Sequence, residues 1–284
     1  MTDTAPSARE VAEATRRVVI SRSFDNLQSQ DVRFLQEAAR LGSVRLDLWS
    51  DALVRSTTGR PSFFPEEERL FVAQALRDVD SAALVDRPLR ATLPDLAGRS
   101  ATLAVPEAEA DPDLRARCLA LGIDYRVIEA DQLAGFPPVS ETPTAPRGGK
   151  RVVVTGCFDW LHSGHVRFFL DAAAFGELYV IVGSDENVGL LKGPGHPLRN
   201  QEERRYMVGA VRCVHRSLIS SGRGWMDAEP EIDAIAPHVY IVNEDGDQQE
   251  KRDFCRAHGL DYLVLERRPH ANLPRRTSTE LRGY

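Results

Sequence analysis

No apolar run in this chain approaches the roughly 20 residues that a membrane-crossing helix needs, so no membrane span is predicted. Residues 1–17 are polar and helix-prone and lack the apolar centre of a signal peptide. Both absences point to a cytoplasmic protein. Cysteine is scarce as well: Cys118, Cys157, Cys213 and Cys255 are scattered without paired spacing, the usage of buried thiols in a reducing compartment rather than of disulfides. There is no excess of positive charge, since 36 Lys and Arg stand against 42 Asp and Glu for a net charge of -6. General affinity for nucleic acid or acidic membranes is therefore excluded, because nothing offsets phosphate repulsion. A locally basic pocket is still allowed. What the chain does have is length, 284 residues with 42% hydrophobic ones, enough for two cores.

The most informative stretch spans residues 151–184. Val152, Val153 and Val154 form a β-branched run stopped by Gly156, which predicts a buried parallel strand running into a tight turn. Val166, Phe169, Leu170 and Ala173 then recur at helical spacing, so His162 and His165, flanking Ser163 and Gly164, fall at the mouth of a helix. Tyr179, Val180, Ile181 and Val182 close a βαβ unit. In such a unit the ligand lies beyond the carboxyl ends of the strands, where the helix start offers free N–H groups and positive partial charge. Two imidazoles there suit an anion or a metal, and a phosphate chain is the simplest occupant.

The unit occurs twice. Residues 18–34 match 152–168 position for position, with Phe24 for Phe158, Asp25 for Asp159, Leu27 for Leu161 and Arg33 for Arg167. The correspondence continues through 46–51 with 180–185, 67–79 with 202–214, and 118–125 with 255–262. The boundaries follow: a first copy at 1–134, a linker rich in Pro, Gly and Thr at 135–150, and a second copy at 151–284. In the second copy strands are expected near 152–155, 179–183, 217–220, 239–243 and 261–265, with helices near 165–175, 201–214, 229–236 and 249–258. That alternation predicts an α/β fold, two tandem parallel sheets covered on both faces. The copies diverge where chemistry would sit, for Gly156, His162, Gly164 and His165 are replaced by Arg22, Gln28, Gln30 and Asp31. A carboxylate at the helix mouth repels phosphate, and a side chain in place of Gly156 blocks the backbone's approach. The first copy is expected to be a degenerate scaffold.

Gly156-Cys157-Phe158-Asp159 followed by His162-Ser163-Gly164-His165 resembles the His-x-Gly-His signature of the cytidylyltransferase-like nucleotidyltransferases, among them glycerol-phosphate and ethanolamine-phosphate cytidylyltransferases and heptose-phosphate adenylyltransferases. Two further stretches of the second copy are similar to that family's motifs. One is Arg276-Thr277-Ser278-Thr279, a turn opening a final helix of about one turn. The other is Leu191-Lys192-Gly193 ahead of Pro197-Leu198-Arg199-Asn200, with Arg204 on the next helix. The resemblance implies Rossmann-like domains, a nucleoside triphosphate (CTP before ATP), a small phosphorylated acceptor, Mg²⁺ and release of pyrophosphate. It also implies no covalent nucleophile, and pairing either as an internal pseudo-dimer or as a homodimer.

The physical demands of that reaction fit the residues. An acceptor oxygen attacks the α-phosphorus in line, so charge must be offset on the equatorial and leaving oxygens. His162 and His165 are assigned the α- and β-phosphates, and Lys192, on a Gly/Pro-flanked loop, the α-phosphate and the acceptor. Arg204 is assigned the outgoing pyrophosphate. Arg276, Thr277, Ser278 and Thr279 make a nest for the outer phosphates, while Thr155, Gly156, Cys157 and Phe158 form the turn over which the triphosphate passes. Asp159 either orients the motif or meets a Mg²⁺-bound water. Asn243, Glu244 and Asp245 end a predicted strand where the resemblance implies acceptor-contacting residues. Zinc ligation by His162, His165 and Cys157 is the lesser reading, since no fourth ligand stands at finger spacing. A nucleotide-binding regulatory module without turnover, and a structural pseudoenzyme, are the alternatives from other classes.

Overall fold

A computed structural model describes residues 16–137 and 149–281; residues 1–15 and most of the expected linker, 138–148, lie outside the described residues. The chain divides into two compact units, Met1–Gly135 and Phe136–Tyr284. Phe136, read from the sequence as linker, already belongs to the second unit, where its ring lies 5.9 Å from that of Tyr206 and its carbonyl accepts from Arg205.

The first unit runs β1 (Arg17–Arg22), α1 (Ser29–Ala39), β2 (Ser43–Trp49), α2 (Asp51–Thr58), α3 (Glu66–Ala75), β3 (Ser81–Val85), α4 (Leu89–Thr92), β4 (Ala101–Pro106), α5 (Pro112–Ala120) and β5 (Asp124–Ile128). The second runs β6 (Arg151–Gly156), α6 (Ser163–Ala173), β7 (Glu177–Val182), α7 (Asp185–Lys192), α8 (Gln201–Gly209), β8 (Val214–Ile219), α9 (Glu229–Ile235), β9 (Val239–Asn243), α10 (Gln249–His258), β10 (Asp261–Leu265) and α11 (Ser278–Leu281). Both sheets are five-stranded with the same order, β3-β2-β1-β4-β5 and β10-β9-β6-β7-β8, and their strand pairs are parallel. The units are Rossmann-like α/β domains. No helix among the described residues is long and apolar enough to cross a membrane.

The β-branched run of β6 makes the central strand, with Val152, Val153 and Val154 fully buried, because helices cover both faces of the sheet. Register repeats between the units: Val19 pairs with Leu103 in the first as Val153 pairs with Tyr240 in the second. One element was not expected. Lys192, assigned to a loop, is the last residue of α7, which Ser184 opens by accepting from the Asn187 amide at 3.2 Å and which Gly193 closes at φ +83°. The first unit builds the matching α2 the same way, with Ser50 capping Leu53 at 3.2 Å and Gly59 at φ +73°. Gly189 within α7 and the Gly193-Pro194-Gly195 run after it disguise the helix in the sequence. Helix α8 also ends sooner than its pattern suggests, since Val214 is claimed by β8 and pairs with Leu178.

Strand β6 lies between β7, which follows it, and β9, which comes after two more strands. The chain therefore reverses its direction across the sheet beside β6, and at such a reversal the connections diverge and leave a crevice at the carboxyl ends of the strands.

Candidate active site

The crevice is a cleft of about 280 Å³. Thr155, Gly156, Cys157 and Phe158 from the end of β6 line it, with Gly183 after β7, Asn243, Asp245 and Gly246 after β9, His165 and Phe168 from α6, and Lys192 from α7. Eight of the residues singled out in the sequence thus line one cleft: Thr155, Gly156, Cys157, Phe158, His165, Lys192, Asn243 and Asp245. Glu244 does not border the cleft; it faces Arg275 at 3.3 Å.

The histidines are built by the start of α6. His162 is its N-cap: its Nδ1 accepts from the Gly164 amide at 3.1 Å, which leaves the ring proton on Nε2. Gly164 is needed there, because a Cβ would fall 2.9 Å from the His162 ring. The two imidazoles stack with centroids 3.9 Å apart. His165 borders the cleft, whereas His162 is only 2% exposed and lies behind it. His162 Nε2 and His165 Nδ1 are both buried without a hydrogen-bond partner, a costly arrangement unless a ligand completes it. Burial, and then the charges of His165, Arg267 and Arg276, hold His162 well below the ordinary histidine range. Burial followed by Arg267 lowers His165 to about 3, with Lys192 adding to the shift and the Trp160 carbonyl opposing it. Both rings are neutral at pH 7 and can offer hydrogen bonds rather than charge. The cationic field comes from the side chains that depress them, Arg267, Arg276 and Lys192, and Arg267 was not singled out in the sequence.

Asp159 and Arg204 are struts: Asp159 takes the motif-orienting one of its two expected roles, and Arg204 is not the pyrophosphate ligand expected of it. Asp159, 3% exposed, turns its carboxylate onto the amides of Leu198 and Arg199 at 2.9 to 3.0 Å. Arg204, 0% exposed, donates to the carbonyls of Arg199, Cys157 and Gly183 at 3.0, 2.7 and 2.7 Å and to Asp185 at 2.7 Å. Its fork is fully engaged and cannot also grip pyrophosphate. The first unit repeats both arrangements bond for bond. Asp25 accepts from Phe63 and Phe64, and Arg69 donates to Phe64, Ser23, Trp49 and Asp51. A feature kept where the histidines are gone serves the fold: each arginine ties the turn after the first strand to the end of the second.

The first unit also shows what replaces the cleft. The Arg22 guanidinium lies 5.4 Å from the Phe24 ring and 5.6 Å from Phe34, the counterparts of Phe158 and Phe168. It pairs with Asp31 at 3.0 Å and Glu109 at 2.7 Å, and Asp31 also accepts from the Gln28 amide at 2.9 Å. The position is filled by an internal ion pair. In the second unit the same position is Gly156, where a Cβ would fall 2.7 Å from the Phe158 ring.

Thr277 caps α11: its hydroxyl accepts from Glu280 and the Glu280 carboxylate accepts from the Thr277 amide, both at 3.1 Å. The turn holding Arg276, Thr277 and Ser278 reaches the mouth of α6, with the Arg276 carbonyl 3.5 Å from where a Gly164 Cβ would stand and accepting from Arg267. The Thr279 side chain lies outside what the structure describes. The sequence also passed over Asp227, Tyr240 and Lys251. The duplication held the signal for two of them, since register and spacing place Leu103 and Leu114 at the positions of Tyr240 and Lys251.

The family model described as Cytidylyltransferase-like matches residues 153–284. Bifunctional protein HldE of Geobacter sulfurreducens is 42% identical over 93 residues, 32% of this chain and 18% of the relative. Its namesake from Syntrophotalea carbinolica is 30% identical over 236 residues, 76% of this chain and 46% of the relative. FAD synthase of Aciduliprofundum boonei is 33% identical over 118 residues, 40% of this chain and 76% of the relative. The chain spans less than half the length of these HldE relatives, whereas it covers most of the FAD synthase. A cleft at the sheet reversal, bordered by His165 of a His-x-Gly-His pair, and a family match that runs from Val153 in the central strand through residue 284 place this chain in the cytidylyltransferase-like family.

Proposed function

We propose that the second unit transfers a nucleotidyl group from a nucleoside triphosphate to a small phosphorylated or phosphonate acceptor. The acceptor oxygen forms a bond to the α-phosphorus, the bond to the bridging oxygen breaks, and pyrophosphate leaves with the electron pair. The observation that carries this reading is the stacked His162 and His165, each with one buried ring nitrogen unpartnered and His165 bordering an open cleft, on a scaffold whose other copy has Gln28 and Asp31. A neutral imidazole N–H supplies a directed hydrogen bond to a phosphate oxygen, and Lys192, Arg267 and Arg276 supply the charge. Gly156 lets the triphosphate approach the main chain.

For the base, the sequence resemblance puts CTP first. The name of the FAD synthase relative denotes a product that contains an adenylyl group, which favours ATP as the donor here, with CTP second. No group of three or more His, Cys, Asp or Glu among the described residues could hold a metal, and the Asp159 carboxylate is engaged by two amides. Mg²⁺ is accordingly proposed only as the counter-ion that the triphosphate carries in, neutralising its outer phosphates. The scattered cysteines support a cytoplasmic setting.

The test is a pyrophosphate-release assay with each triphosphate against a panel of phosphorylated alcohols, amines and sugars. His165→Ala is expected to lower turnover by roughly a hundredfold or more with the fold intact, and Asp31→Ala to leave it unchanged. Turnover indifferent to His165, or nucleotide binding without pyrophosphate release under every pairing, would end the enzyme reading.

A further inference from the structure

The far side of the cleft, on the α9 and α10 face of the sheet, carries a buried lysine where the first unit has a leucine. Lys251 on α10 lines the cleft and is 7% exposed, yet among the described residues its ammonium has a single hydrogen bond, to the Gly246 carbonyl at 3.1 Å, and lies 5.9 Å from the Tyr240 ring. Asp227 lines the same wall, buried, its carboxylate held by the Ser220 hydroxyl at 2.5 Å. Lys251 and Asp227 sense each other electrostatically but are not in ion-pair contact. The other carboxylates near Lys251 already have partners: Asp245 pairs with Arg267 at 2.6 Å and Asp247 with Arg252. Trp225, 47% exposed, adds the edge of an apolar ring, and Tyr240 and Thr155 add hydroxyls 2.7 Å apart.

The fold does not call for this lysine. In the first unit, where Arg22 fills the cleft, Leu114 holds the position of Lys251 in the apolar core and Leu103 that of Tyr240. A buried ammonium short of partners costs stability that a leucine would not, so its presence only beside the open cleft points to a ligand. The neighbouring charges then select among ligands. An anionic tail reaching Lys251 meets Asp227, and an ammonium tail reaching Asp227 meets Lys251. A hydroxyl satisfies both, accepting from the ammonium and donating to the carboxylate, while the C–H face of a polyol lies against an indole.

We infer that Lys251, Asp227 and Trp225 form the subsite for the non-reacting end of the acceptor, and that this end is a polyol. The inference rests on the nucleotidyltransferase reading for its context, and its test does not. Binding is measured by saturation-transfer NMR and calorimetry on the full chain. Glycerol phosphate, pentose phosphate and hexose phosphate are compared with ethanolamine phosphate and phosphoglycolate, and a non-hydrolysable ATP or CTP analogue is titrated separately. The hydroxylated phosphates are expected to bind at least about tenfold tighter than the other two. Lys251→Met, Lys251→Leu and Asp227→Asn should each weaken them by roughly tenfold to a hundredfold with nucleotide affinity unchanged. Lys251→Leu restores the residue that the first unit carries at this position, which guards against a failure to fold. Equal binding of the three tail classes, absence of binding by any of the polyol phosphates, or variants that weaken the nucleotide and spare the polyol phosphates would each overturn the inference. Failure of the nucleotide analogue to bind the wild-type protein, with polyol discrimination intact, would overturn the nucleotidyltransferase reading alone.

Discussion

Replacing Arg204 separates a strut from a phosphate ligand. Its guanidinium is fully buried and serves the carbonyls of Arg199, Cys157 and Gly183 together with the Asp185 carboxylate. Because Asp185 is 41% exposed, the ion pair itself adds little, and the weight falls on the three carbonyls. At about 1.5 kcal/mol each, the low end for bonds to a charged group, Arg204→Ala should cost about 4 to 5 kcal/mol. That is a large part of what a domain possesses and corresponds to a fall in melting temperature of roughly 10 to 15 °C. Arg204→Lys keeps the charge but not the planar fork, and should lie between Ala and the wild type. Urea unfolding followed by tryptophan fluorescence reads the effect unit by unit. Trp49 reports the first unit, Trp160 and Trp225 the second, so a Trp49→Phe background isolates the second. Arg69→Ala, at the matching position, should destabilise the first unit by a similar amount and leave pyrophosphate release untouched. The reasoning fails if Arg204→Ala unfolds at the wild-type urea concentration while catalysis collapses, for Arg204 would then be a ligand of the reaction after all.

Other consequences can be checked as directly. Gly156→Ala places a Cβ 2.7 Å from the ring of Phe158, a residue already at φ +51° with little freedom to yield; triphosphate affinity should fall by an order of magnitude or more, whereas Arg22→Ala in the first unit should not alter it. His165 has a folded pKa of about 3 against an ordinary 6.5, so the unfolded chain takes up its proton first: its contribution to stability is complete above pH 6.5 and declines by up to about 1.4 kcal/mol per pH unit as pH falls toward 3. A His165→Asn variant should show a flatter loss between pH 6 and 4, and identical slopes would count against the burial. The pH-rate profile of the free enzyme should likewise lack a histidine ionisation near 6.5, since both rings are neutral throughout the neutral range.

The βαβ unit, the duplication and the cleft-edge positions were legible because each rests on local pattern: a β-branched run stopped by glycine, a 3.6-residue period, and a repeat aligned without gaps over 18–34 and 152–168. Partnership was not legible. Asp159 and Arg204 look like ligands in a motif, and only three-dimensional contact shows their polar atoms engaged with backbone. Their counterparts Asp25 and Arg69 were visible all along in a copy that had lost its histidines, and that survival was the available clue. Lys192 was misplaced because glycines within and after α7 hide a helix whose cap is a plain serine. Lys251 and Tyr240 were missed for the opposite reason: nothing in their own surroundings marks them, and only comparison with Leu114 and Leu103 does.

The ion pair between Arg22 and Asp31 makes the filled position in the first unit hard to reopen. Remove the arginine alone and a bare carboxylate confronts any incoming phosphate; exchange the aspartate alone and the guanidinium still sits where the triphosphate would pass. Neither change alone clears the position, so two exchanges in concert are needed before the first unit could hold a cleft like that of the second.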